Sequence, residues 1–129
     1  MKTTYLSTTQ VLAIHDQMIK RFGGSMGIRD VGLIESAVGR SQASFDAKNL
    51  YVTIFDKAAA LLQSLLKNHP FVDGNKRTAL TSVAIFLKIN GYEFKNYHSD
   101  EVRFALDVDN QHLTIEQIAK WLKDHTDKI

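Results

Sequence analysis

The chain contains no cysteine. That excludes a disulfide framework, a thiol nucleophile and a thiolate metal site. It suits a reducing cytosol, so a cytoplasmic location is expected. A single proline and no low-complexity run leave little room for extended disorder except at the ends. No apolar stretch is long and unbroken enough to cross a bilayer, and the N-terminus lacks the basic, apolar, then small-residue order of a secretory signal. Charge of one sign is also scarce. Sixteen Lys and Arg face fourteen Asp and Glu, for a formal net charge of +2. The cations are scattered, with no basic stripe or stacking platform, so direct contact with DNA is not expected.

What remains is an ordinary soluble composition, 44% apolar and 23% charged over 129 residues. Neither a repeat nor a linker-like shift divides the chain, so residues 1–129 are expected to form one domain around one core.

The patterning is helical nearly throughout. Ser7 and Gln10 form a capping-box pair, with Leu6 and Val11 as hydrophobic staple. Val11, Ile14, His15, Met18 and Phe22 then recur at helical spacing, until Gly23-Gly24 stops the run. A glycine-rich loop reaches Arg29. Asp30 caps a short helix carrying Leu33, Ile34, Ala37 and Val38, which Gly39 ends. A polar connection from Arg40 to Asn49 precedes a third helix, with Ile54, Phe55, Ala58, Leu61, Leu62, Leu65 and Leu66. It ends at His69, since the residue before a proline is pushed out of helical geometry. The fourth helix runs from Gly74 or Asn75 to Asn90. It is apolar on most sides, the mark of a central buried helix. Tyr92 to Tyr97 reads as extended, and Ser99-Asp100-Glu101 starts a fifth helix. Leu113 to Ile118 repeats the box-and-staple pattern and opens a sixth, through Ala119, Trp121 and Leu122. The fold class is all-α, a compact bundle of about six helices with room for one short hairpin.

Chemistry is concentrated in His69-Pro70-Phe71-Val72-Asp73-Gly74-Asn75-Lys76-Arg77-Thr78. Pro70 and Gly74 break any continuous helix here. His69 therefore ends one helix and Asn75 begins the next. A helix N-terminus offers free N–H groups and partial positive charge, which stabilise an anion. Gly74 permits close backbone approach. Lys76 and Arg77 place fixed cations against the positive end of the dipole, which is unfavourable unless an anion is present. Asp73 offers the hard oxygen ligands that Mg²⁺ takes when shared with substrate phosphates, and it can equally be an N-cap. His69 carries an imidazole, which can accept a proton from a hydroxyl. Asn75 can donate its amide to a phosphate oxygen. Phe71 reads as a core anchor for the loop. These groups meet the needs of phosphoryl or nucleotidyl transfer, where positioning and charge neutralisation dominate. A helical zinc pair of His69 and Asp73 is disfavoured by the same Pro70 and Gly74. His15, His98, His112 and His125 are scattered and read as surface or structural. The stripe of His15, Met18 and Phe22 with the loop from Gly23 to Arg29 is an alternative partner surface, in which case the chain would be a protein-binding module with dispensable catalysis.

The loop resembles the Fic/Doc signature His-x-Phe-x-[Asp/Glu]-Gly-Asn-x-Arg, with His69, Phe71, Asp73, Gly74, Asn75 and Arg77 in register. Arg21-Phe22-Gly23-Gly24, Gly27-Ile28-Arg29-Asp30, Leu33-Ile34-Glu35-Ser36-Ala37, Lys57-Ala58-Ala59 and Asn90-Gly91-Tyr92 extend the likeness to the Doc-type, death-on-curing toxins of toxin–antitoxin pairs. Members that transfer AMP usually carry Gly in place of Lys76 and a second Arg in place of Leu80. The departures at both positions are typical of the Doc-type branch. The resemblance implies Mg²⁺ and ATP as cofactor and substrate, with γ-phosphoryl transfer to a threonine of an elongation factor Tu-like protein and arrest of protein synthesis. Adenylyl transfer is the alternative. It implies His69 as the base on the target hydroxyl, Asp73 as the Mg²⁺ ligand, and Gly74, Asn75, Lys76 and Arg77 as the phosphate cradle. Thr78 is left with at most a first-turn hydroxyl contact. It also implies an antitoxin whose disordered C-terminal segment folds onto the toxin, and through which DNA is reached only indirectly.

Overall fold

Six helices and two short antiparallel strand pairs make up the computed structural model, which describes residues 2–95 and 99–129. Helix α1 (Thr8–Phe22) opens with the anticipated capping box: the Ser7 hydroxyl accepts from Gln10 N, and the Gln10 side chain accepts from Ser7 N. Helix α2 (Val31–Arg40) is capped by Asp30, whose carboxylate accepts from Gly32 N at 2.9 Å. It runs one residue past the predicted stop at Gly39. Helix α3 (Ile54–Asn68) has its own capping box, Thr53 with Asp56. Helices α4 (Asn75–Ile89), α5 (Ser99–Gln111) and α6 (Ile115–Asp124) complete the set, and the Thr114–Gln117 box opens α6 as read. Among the described residues no helix is long and apolar enough to cross a membrane.

The centre of the bundle is α3. Its residues Lys57 to Leu66 are all buried, and it packs against α2, α4, α5 and α6. The expectation that α4 is the central helix is therefore corrected. Helix α4 buries Ala79, Leu80, Val83, Phe86 and Leu87 but leaves Ile85 and Ile89 partly in solvent. Apolar residues around a helix do not identify the centre when polar ones can also be buried. In α3, Lys57 reaches the Tyr51 carbonyl, and Gln63 and Ser64 take hydrogen bonds from Arg40. Those bonds offset the desolvation of polar groups in a core.

The hairpin lies inside the polar connection. Strands β1 (Ser44–Phe45) and β2 (Lys48–Asn49) are joined by Asp46 and Ala47, both at positive φ (54° and 64°). Positive φ at both central residues is what a tight type I′ turn requires. The predicted extended segment is β3 (Tyr92–Phe94), which pairs with β4 (Thr126–Lys128) beyond α6. The rest of that prediction, Asn96 and Tyr97, lies outside the described residues, as does His98.

Candidate functional site

Two elements of the core meet at the candidate loop. Helix α3 ends on His69, which takes a left-handed conformation (φ 45°, ψ 60°). Helix α4 is preceded by Gly74, also left-handed (φ 77°, ψ 18°) and without a side-chain capping bond. Asp73 is thus not the N-cap, and a helical zinc pair across 69–73 does not form. Pro70 and Phe71 are buried, whereas His69, Val72 and Asp73 are exposed.

His69, Asp73, Gly74, Asn75, Lys76 and Arg77 line one cleft of about 350 Å³, together with Phe22, Gly23 and Val72. That is the size of a small-ligand pocket. The structure thus brings every predicted site residue to the same place. Helix α4 points the N–H groups of its first turn toward this end of the bundle.

The side chains there divide into two sets. Lys76 and the His69 imidazole are exposed at the cleft, and Arg77 lies over the Phe22 ring with its guanidinium carbon 3.9 Å from the ring centre. Asn75 does a different job. Its Oδ1 accepts from Phe71 N at 3.0 Å and its Nδ2 donates to Phe71 O at 2.9 Å. It staples the loop through Phe71, and the amide keeps its second Nδ2 hydrogen for another acceptor. Thr78 turns inward: it is 1% exposed, and its hydroxyl has no hydrogen-bond partner among the described residues.

Asp73 is held by three hydrogen bonds, two from backbone amides and one from a side chain. Its Oδ2 accepts from Ser25 N at 3.0 Å and its Oδ1 from Gly74 N at 2.9 Å. Its carbonyl oxygen accepts from His15 Nε2 at 2.8 Å. The amides of Ser25 and Gly74, with a smaller contribution from His15, hold its carboxyl below the usual carboxylate value. Hydrogen bonds to the charged form favour that form, so the group is ionised at neutral pH. Each carboxylate oxygen keeps a lone pair for another donor or a cation. A lone, exposed, ionised carboxylate fits Mg²⁺ bound largely by water and phosphate, because that ion rarely occupies an all-protein cage. Among the described residues no three His, Cys, Asp or Glu side chains gather around one point.

Reasoning from sequence missed how this loop is supported. His15 is only 3% exposed, and its ring stacks on Phe71 with centroids 3.8 Å apart and planes 3° from parallel. Its place on the apolar face of α1 signalled burial, but its partner was out of reach. The segment from Gly23 to Asp30 lies along the loop like an extra strand. Arg29 N and Asp30 N donate to Pro70 O (2.7 and 3.1 Å), and Val72 N donates to Gly27 O at 3.1 Å. Two glycines make that approach possible. A Cβ on Gly24 would sit 2.6 Å from Asp73 Oδ2, and one on Gly27 would sit 2.9 Å from Val72 Cγ2. The stripe proposed as a partner surface is therefore mostly interior, since His15 and Met18 are buried and only Phe22 is exposed. The other described histidines stay away from the cleft. His112 follows α5 at φ 52°, and His125 stacks on Trp121 and donates from Nδ1 to its carbonyl.

Comparison with known proteins agrees with this geometry. The Fic/DOC family model matches residues 5–87, from before α1 almost to the end of α4. A protein named Toxin Doc from Mycolicibacterium smegmatis is 53% identical over 72 residues, covering 56% of this chain and 55% of the relative. A protein named Protein kinase doc from Escherichia phage P1 is 37% identical over 89 residues, 69% of this chain and 70% of the relative. The match thus spans little more than half the length of the first relative and about two thirds of the second. The family model covers both elements that build the cleft and the loop between them, and on that basis the chain belongs to the Fic/DOC family.

Proposed function

We propose that the protein is the toxin of a toxin–antitoxin pair, transferring the γ-phosphoryl group of Mg-ATP to a hydroxyl of an elongation factor Tu-like translation factor. The relatives' names, Toxin Doc and Protein kinase doc, support the class of activity. The observation that carries the reading is the cleft itself, where an exposed imidazole, an ionised carboxylate, two fixed cations and a helix N-terminus converge. Few other reactions need that combination.

In this reading the triphosphate lies against the first turn of α4, with Lys76 and Arg77 balancing its charge. Arg77 is pre-set by its stacking on Phe22, so little side-chain freedom is lost when an anion arrives. Asp73 would hold the magnesium ion, which supplies charge neutralisation at the phosphates. His69 takes the proton from the target hydroxyl. That oxygen bonds to the γ-phosphorus, the bond from phosphorus to the β,γ-bridging oxygen breaks, and ADP leaves. Asn75 and His15 hold the loop in shape, and Asn75 keeps its second Nδ2 hydrogen for a phosphate oxygen.

The antitoxin partner is part of the same proposal: a segment disordered alone and folded on this chain, with DNA reached only through it. The experiment is direct. The protein is incubated with Mg²⁺, a cell lysate and ATP labelled at the γ- or the α-phosphate. Label transferred from the γ-position and absent with His69→Ala is the expected result. Transfer from the α-position alone would make the protein an adenylyltransferase. Growth arrest by a His69→Ala variant would instead favour a non-catalytic corepressor module.

A further inference from the structure

His69 is the one residue of the loop whose backbone conformation opposes its own chemistry. A β-carbon-bearing residue at φ 45° crowds its own carbonyl, and Pro70 restricts it further. Such conformations persist only where surrounding contacts over-determine them. Helix α3 also ends here, leaving its last carbonyls without intrahelical donors. One side chain answers both problems. Arg29 Nε donates to His69 O at 2.7 Å, and a terminal guanidinium nitrogen of Arg29 donates to Asn68 O. The backbone N–H of the same residue donates to Pro70 O at 2.7 Å. Three successive carbonyls, at 68, 69 and 70, are therefore held by one arginine.

We infer that Arg29 is a positioning residue for His69, holding it in the left-handed conformation that presents its imidazole to the cleft; the inference rests on His69 acting as the base. Arg29 does not line the cleft itself. The fork geometry matters. A guanidinium offers parallel donors to two carbonyls at once, whereas an ammonium is a single point. The cation also faces the negative end of the α3 dipole, a favourable placement. Arg29 is exposed, so its removal opens no hole in the core.

The test compares wild type, Arg29→Ala, Arg29→Lys and His69→Ala in steady-state transfer from ATP, with the histidine-ring resonances followed by NMR. The His69 signal is assigned by its loss in His69→Ala. With Arg29→Ala, kcat is expected to fall roughly a hundredfold, as for a base displaced by about 1 Å. The KM for ATP should stay within about twofold. Arg29→Lys should recover part of kcat. The pH profile of kcat should move along with the His69 resonance, while the His15 resonance stays put. An unchanged kcat, or a loss carried wholly by KM, would overturn the inference. So would a His69 resonance that ignores Arg29→Ala, and this result holds whether or not the protein transfers phosphate. By contrast, a fully active His69→Ala enzyme would sink the proposed function and leave the spectra to decide what Arg29 holds.

Discussion

The hydrogen bond from His15 to Asp73 can be isolated by one substitution. His15→Phe keeps an aromatic ring to stack on Phe71 and removes only the N–H that reaches the Asp73 carbonyl, now 2.8 Å away. An orphaned buried acceptor costs roughly 1–3 kcal/mol. This carbonyl is only partly buried, so water can reach it and the lower part of that range applies, about 1–2 kcal/mol. An unfolding entropy of roughly 2.1 cal/mol/K per residue gives about 4 °C of melting temperature per kcal/mol for a chain of this length. The expected loss in Tm is therefore about 4–7 °C. His15→Gln provides the converse: it keeps a donor and loses the stack, at a cost of about 0.5–1.5 kcal/mol. Thermal melts and the Mg²⁺ dependence of transfer should separate the two. His15→Phe should need more Mg²⁺, because Asp73 loses one of its three tethers, whereas His15→Gln should stay close to wild type. If His15→Phe melts with the wild type and its Mg²⁺ dependence is unchanged, the buried imidazole does not set the carboxylate.

Three further outcomes follow from the same loop. Asp73→Ala should abolish Mg²⁺-dependent transfer, by roughly a hundredfold or more, with little change in Tm; unfolding of this variant would show that its backbone tethers matter more to stability than to chemistry. Asn75→Ala removes both bonds to Phe71 and should cost about 2–3 kcal/mol in urea melts without any nucleotide present; a fully stable variant that merely binds ATP poorly would make the phosphate contact its main role. The carboxyl of Asp73 is held below its ordinary value near 3.8, so its tie to Ser25 is intact above that pH and is lost as pH falls through the lower folded-state value. The Ser25 amide resonance should titrate with a midpoint below 3.8, and a midpoint at or above it would contradict the geometry.

The helices were legible where their determinants are local. The Ser7–Gln10 and Thr114–Gln117 boxes need only neighbours three residues apart, and both form. The place of α3 at the centre was not legible. It depends on Arg40, more than twenty positions away, and on Tyr51 in the preceding loop, which make Lys57, Gln63 and Ser64 tolerable inside. The pairing of β3 with β4 likewise joins segments separated by two helices. At the site, position was readable and support was not. Residues 69–77 are contiguous, so their gathering follows from a broken helix. By contrast, Ser25, Arg29 and His15 reach the loop from 40 to 58 positions away, and no periodicity encodes that distance. Asn75 shows the limit most clearly. Its amide could serve an anion or a peptide group, and only the fold shows Phe71 N–H and C=O already facing it.

The two cations beside the α4 N-terminus are the point at which local rule and sequence disagree. Lys76 and Arg77 lie where a helix prefers acids, and α4 has no acidic residue in its first turn. Asp73, the nearest carboxylate, does not offset them with a cap. It turns to Ser25 and Gly74 instead. A Glu at 76 would favour the dipole, whereas a capping Asp or Ser at 74 is disfavoured by the left-handed backbone there. Gly74 forgoes the cap but leaves the first-turn N–H groups open, and a Cβ there would meet Ile19 Cδ1 at 3.1 Å. The local cost is thus concentrated at the one spot where a polyanion would reverse its sign. A residue set chosen for stability alone would have removed that conflict, so its retention argues that this helix end is built for a ligand's charge.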